Sequence, residues 1–175
     1  LPYMFTRLAT NQNYSFFLFG PRGTGKSTWL KSTIVAEKTY DLLSTREVLR
    51  LSRDPSILYD ELVHLPRGSW IIIDEIQKVP ALLSEVHRLI EDRGLLFALS
   101  GSSARKLRKG GVNLLAGRAH TLNFFSLVSA ELQQDYDVKK ALSVGTLPLA
   151  VTSVDPQLFL SSYVDTYLEQ EIKAE

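Results

Sequence analysis

Residues 20–28 read Gly-Pro-Arg-Gly-Thr-Gly-Lys-Ser-Thr, and the first eight fit the spacing Gly-x-x-x-x-Gly-Lys-Ser/Thr. Few strings constrain a fold as tightly. Glycines at 20, 23 and 25 let the backbone turn with positive φ and approach a ligand closely. Successive amide N–H groups, followed by the N-terminus of a helix, then surround a triphosphate. In such a loop Lys26 is expected as an exposed, ligand-facing charge that reaches the β- and γ-phosphates, while the Ser27 hydroxyl holds Mg²⁺. Gly20, Pro21, Arg22, Gly23, Thr24, Gly25, Lys26, Ser27 and Thr28 form the candidate nucleotide-binding stretch. Chance alone supplies these fixed positions in roughly one such chain per hundred. The flanks support the motif further: the apolar run Ser15-Phe-Phe-Leu-Phe19 precedes it as a buried strand would, and Trp29 to Ala36 continue as a helix.

Beyond the loop, strand and helix signals alternate. Strands are expected at 14–20, 39–43, 70–74, 95–100 and 119–125. Helices are expected from Lys26 to about Glu37, over 45–64 with a break near Asp54-Pro55, and from Pro80 to a stop at Gly94. A further helix begins at Ala104, is interrupted by Gly110-Gly111 and is expected to resume over 113–116. Such alternation means a parallel sheet covered by helices on both faces. From residue 126 onward the pattern is mostly helical, with a turn near Gly145 and a last helix from Pro156 to about Lys173. The chain has 175 residues, enough for one good core and a small appendage. It has no cysteine, which excludes disulfides and fits a reducing cytoplasm. Its apolar runs are far too short to span a membrane.

Trp70-Ile-Ile-Ile-Asp74-Glu75 supplies a second motif. A buried strand delivers Asp74 at its carboxyl end, where parallel sheets bind ligands. There Asp74 can hold Mg²⁺ through its water shell, and Glu75 can polarise a water towards the γ-phosphate. That order of acids favours hydrolysis over transfer to a second substrate. A third piece lies in Leu96-Phe-Ala-Leu-Ser100-Gly-Ser102-Ser103. Ser100, with Ser102 as second choice, is placed to hydrogen-bond the attacking water or the γ-phosphate. The competing reading makes these serines a turn that caps the next helix.

Strand–loop, strand–Asp-Glu and strand–Ser, in this order, resemble the AAA+ ATPase core. The strings IIIDEIQKVPALLSEVHRLIED and LSGSSARKLRKGGVNLLAGRAHTLNFFSL further resemble a prokaryotic group of predicted AAA+ ATPases that carry an uncharacterised C-terminal domain. That likeness implies an α/β fold: a three-layer P-loop NTPase core with a five-stranded parallel sheet in the order 5-1-4-3-2. It implies an ATPase core over residues 1–126 and a mainly helical extension over 127–175 leading towards the C-terminal domain. Because members run to about twice this length, the chain is expected to be a fragment. The resemblance also implies ATP and Mg²⁺ as ligands and a homo-oligomer as the assembly. In it Arg118 would act as an arginine finger on a neighbour's γ-phosphate, although a helix-terminal Arg paired with a local carboxylate is the weightier reading. No Arg follows residue 118, so the second arginine that AAA+ lids commonly supply is missing.

Charge divides unevenly. Residues 1–118 hold 17 Lys/Arg against 11 Asp/Glu, a balance of +6, and residues 119–175 hold 3 against 8, a balance of −5. A basic front half suits phosphate ligands and makes DNA a weak candidate partner. Arg105, Lys106, Arg108 and Lys109 form the basic cluster, which reads more readily as a solvated helix face. Tyr163 and Tyr167, four apart, read as helix packing rather than a base-stacking platform, and Gln77 has no assigned role although it stands close to Glu75. Functionally the pattern predicts an ATP-hydrolysing module that drives or regulates a C-terminal effector. The alternative is a nucleotide-held switch with negligible turnover. A kinase on the same core is disfavoured by the Arg-free tail.

Overall fold

The computed structural model describes residues 5–102, 104–109 and 115–168, and the chain packs as two compact units. One unit comprises Asn11–Gly20 and Lys26–Asn123; the other gathers Leu1–Thr10, Pro21–Gly25 and Phe124–Glu175.

The first unit holds the sheet. Its strands are β1 (Phe16–Phe19), β2 (Lys38–Asp41), β3 (Trp70–Asp74), β4 (Leu96–Gly101) and β5 (His120–Asn123). Every pairing is parallel, in the order β2-β3-β4-β1-β5, which is the expected 5-1-4-3-2 read from the other edge. Five helices connect them: α1 (Lys26–Thr33), α2 (Thr45–Arg53), α3 (Ile57–Leu62), α4 (Leu82–Arg93) and α5 (Ala104–Lys109).

Side-chain alternation along the strands builds the two faces. Phe17, Phe19, Ile71, Ile73, Phe97 and Leu99 pack with Leu51 of α2, Leu58 and Leu62 of α3, and Val86 and Leu89 of α4 in one buried cluster. Phe16 meets the ring edge of Trp29, on α1, at 6.3 Å and that of Trp70 at 5.9 Å. The result is a three-layer α/β core of the P-loop NTPase kind. Each fully buried large apolar side chain contributes about 1.5–3 kcal/mol.

Several local expectations hold and some do not. The break at Asp54-Pro55 separates α2 from α3, and the Asp54 carboxylate accepts from the Ser56 N–H at 3.0 Å. The turn at Gly94 ends α4, with the Leu95 N–H reaching back to Leu89 O. From Pro80 the chain first coils through short i→i−3 bonds, and α4 proper starts at Leu82. By contrast α1 stops at Thr33 rather than near Glu37. Thr33, Ile34 and Val35 are a β-branched run that a helix holds poorly. Glu37 then gives its N–H to Trp70 O at 2.9 Å, where the β2–β3 pairing begins. The resumed helix expected over 113–116 falls partly outside the described residues. Leu115–Gly117 is a 3-10 turn with Leu115 and Ala116 at φ 55° and 45°, not an α-helix.

The second unit is mainly helical: α6 (Ser129–Leu132), α7 (Val138–Val144), α8 (Pro148–Thr152) and α9 (Pro156–Tyr163), followed by a π turn at Val164–Leu168. Aspartates cap two of these helices. Asp137 accepts from the Lys140 N–H and Asp155 from the Leu158 N–H, each at 3.0 Å. The expected continuation to about Lys173 lies outside the described residues beyond 168. Among the described residues no helix is long and apolar enough to cross a membrane.

Candidate functional site

At the carboxyl end of the sheet, the β3–β4 register of Ile73 with Leu99 brings Asp74 beside Ser100. The Ser100 hydroxyl is fully buried, donates to Asp74 Oδ1 and accepts the Glu75 N–H at 3.3 Å. One hydroxyl thus ties both acids of the sequence motif. Ser100 therefore lies in the expected place, but its proton goes to Asp74 rather than outward. Asp74 and Glu75 are themselves 2% and 7% exposed. Glu75 has φ 61° and ψ 45°, a left-handed backbone that costs a non-glycine residue on the order of 1 kcal/mol and clusters at functional positions.

Gly20 and Lys26 complete this group. Gly20 extends the sheet pairing, its N–H reaching Gly101 O at 3.3 Å. It does not take positive φ; of the loop glycines, Gly23 and Gly25 do, at 76° and 91°. Lys26 opens α1 and its Nζ donates to Gly20 O at 2.6 Å. Contrary to expectation the side chain is buried, at 5% exposure, folded back on the first residue of the motif. Ser27 follows half-buried, and Thr28 is exposed.

Within the other unit, three carbonyls of loop residues 21–25 are held by side chains. The Thr24 hydroxyl donates to Pro21 O at 2.9 Å, Tyr163 Oη to Arg22 O at 3.0 Å, and Arg7 Nη1 to Thr24 O at 2.7 Å. These bonds tie the loop backbone to side chains of its own unit. Arg7 is itself fixed: Nε donates to Glu131 Oε1 at 3.0 Å, Nη2 to Phe125 O at 2.6 Å, and the guanidinium lies 4.0 Å from the Phe124 ring centroid. Burial pushes the Glu131 carboxyl up. The N–H of Leu8, the Arg7 guanidinium and the N–H of Val128 outweigh that and hold it below the ordinary glutamate value.

Arg118 does not join the acids. It precedes β5, whose His120 is level with Phe16 at the amino end of the sheet, and its Nε donates to Glu91 on α4. That is a pairing with a nearby carboxylate, the weightier of the two expectations for Arg118. On α5, the side chains of Lys106, Arg108 and Lys109 lie outside the described residues, and the expectation of DNA association gains no support from the rest. Arg7 and Glu131 were missed in the sequence; Tyr163 was read there as helix packing, and it stacks on Phe159 and Tyr167 while also donating to Arg22 O. Gln77 was noticed but unassigned; its Nε2 donates to Glu75 Oε2.

Residues 12–133 match the family described as AAA domain. No curated protein sequence matches the chain. Solved structures with a similar fold number 141 chains, among them that of C. elegans PCH-2. That likeness has 18% identity and a TM-score of 0.46, and covers 68% of this chain and 37% of that one. The chain thus spans well under half the length of that protein. Matched over most of its own length, it belongs to the AAA domain family, within the AAA+ P-loop superfamily.

Proposed function

We propose that the module binds ATP with Mg²⁺ and hydrolyses it, through residues 20–28, Asp74 and Glu75, to drive or regulate a C-terminal effector. The observation that carries the reading is the buried pair Asp74–Glu75, joined through Ser100 at the carboxyl end of β3. Lys26 swings from Gly20 O to the β- and γ-phosphates. Glu75 accepts a proton as the water oxygen bonds to the γ-phosphorus and the bond from that phosphorus to the bridging oxygen breaks, leaving ADP and phosphate. The Asp74 carboxylate and Ser27 hydroxyl are hard oxygen donors of the kind Mg²⁺ takes, and they would hold it. When bound, the ion supplies charge neutralisation at the phosphates. A core over residues 1–126 with a helical extension over 127–175, a cytoplasmic setting and a homo-oligomer fit the same reading. In that assembly Arg118 would have to leave Glu91 to serve a neighbour.

Phosphate release by the parent and by Glu75→Gln tests this. The variant keeps size and hydrogen bonding but loses charge. It should bind ATP at least as well as the parent and hydrolyse it about 10²–10⁴-fold more slowly. Loss of ATP binding would make Glu75 a structural or metal-holding residue instead. Equally slow release from both chains would favour the nucleotide-held switch.

A further inference from the structure

Gln77 stands two residues past Glu75, in the 3-10 turn Ile76–Lys78. Its Nε2 donates to Glu75 Oε2 and, at 3.3 Å, to Ser102 Oγ. Its Oε1 is buried and has no hydrogen-bond partner among the described residues. A buried carbonyl oxygen without a donor is uncommon and needs a reason. Turning the amide over would not relieve it, because Oε1 would then face the Glu75 carboxylate, acceptor against acceptor. The amide is held the way that serves Glu75, at the expense of its own oxygen. Room for that oxygen exists because residue 101 is glycine. A Cβ there would lie 2.6 Å from Gln77 Oε1 and 3.3 Å from Phe19 Cε1.

We propose that Gln77 is the positioning residue for Glu75. Its amide fixes Oε2, so that Oε1 of the carboxylate meets the attacking water, and Gly101 seats the amide. The inference rests on the reading of Glu75 as the base of ATP hydrolysis. Misplacing a reacting group by a fraction of a bond length is enough to slow the chemical step severely while nucleotide binding continues. A charge-assisted N–H···O⁻ bond is also stronger than a neutral one and holds the carboxylate in a single rotamer.

The test compares Gln77→Leu, Gly101→Ala, their double variant and Glu75→Gln in steady-state ATP hydrolysis and in thermal melting. Gln77→Leu should lower kcat about 10–100-fold with KM for ATP within about twofold. It should melt no lower than the parent, since it removes an unpaired buried oxygen. Gly101→Ala touches neither acid, yet it should lower kcat in the parent and add nothing in the Gln77→Leu background. Effects that multiply in the double variant, or a kcat for Gln77→Leu within twofold of the parent, would overturn the inference. Normal hydrolysis by Glu75→Gln would instead remove the base itself, and the inference with it. A slow Glu75→Gln beside a normal Gln77→Leu would sink only the role of Gln77. Independently of turnover, the Gln77 side-chain amide proton resonance in the protein without nucleotide should move upfield in Glu75→Gln, as the charge leaves its acceptor. An unmoved resonance would rule the contact out.

Discussion

Lys26 carries its charge into a buried position and donates to Gly20 O across the motif that both residues belong to. The amine is thereby held at the end of β1, where the motif begins. Replacing it with alanine removes its hydrogen bond to Gly20 O, worth about 1 kcal/mol of stability, but also the attraction for the β- and γ-phosphates. Lys26→Ala should therefore fold, with a melting temperature close to the parent's, and fail to bind a fluorescent ATP analogue. Unchanged affinity in that titration would remove the nucleotide-site reading of residues 20–28. At this scale Asp74, Glu75 and Ser100 were legible because each sits at the end of an apolar strand, and parallel strands deliver their ends to one edge. Arg7 was not legible. Its carboxylate partner Glu131 is 124 residues away, and no spacing rule links them.

Between elements, charged side chains with low exposure do much of the tying. Arg7 and Glu131 are 10% and 4% exposed, and Glu131 also accepts the N–H of Leu8 and, at the start of α6, that of Val128. Removing one partner of such a pair leaves the other charged and buried, a loss of about 3–5 kcal/mol. In the sheet unit, Glu61 of α3 accepts from Tyr40 of β2 at 2.7 Å and from Arg50 of α2 at 2.6 Å. Burial pushes its carboxyl up, but Tyr40 and Arg50, with Lys38 nearby, bring it below the ordinary value. Both glutamates have folded-state values lower than 4.5. Their stabilisation is complete above the unfolded-state value and is lost as pH falls through the lowered folded one. Melting temperature should therefore be flat from pH 7 to about 5 and fall below about 4. In Glu131→Gln the fall should be shallower, from a lower plateau; an identical slope would show that Glu131 takes no part. None of this was readable in advance, because helix and strand periodicity report burial and not which acid meets which base.

On the scale of the whole molecule, the covered parallel sheet followed from alternation and the strand order from the likeness of two strings to a known group, and the structure has the same order. The shortened α1 was not foreseen, since the periodicity of Trp29 to Ala36 outlasts what a β-branched run tolerates. The unit that contains loop residues 21–25 also contains the chain's first ten residues and everything from Phe124 onward. The family match and the packing consequently divide this protein along different lines. The segment shared with the AAA domain family, residues 12–133, includes every motif residue but excludes Arg7 and Tyr163. Trimmed to that segment, the chain would keep the full motif with two of its loop carbonyls released, and its affinity for ATP should fall well below that of the parent while the sheet still melts cooperatively. Equal affinity would mean that the loop keeps its shape unaided. The weaker affinity would mean that a nucleotide-binding loop owes its shape to residues that lie outside the segment by which the family is recognised.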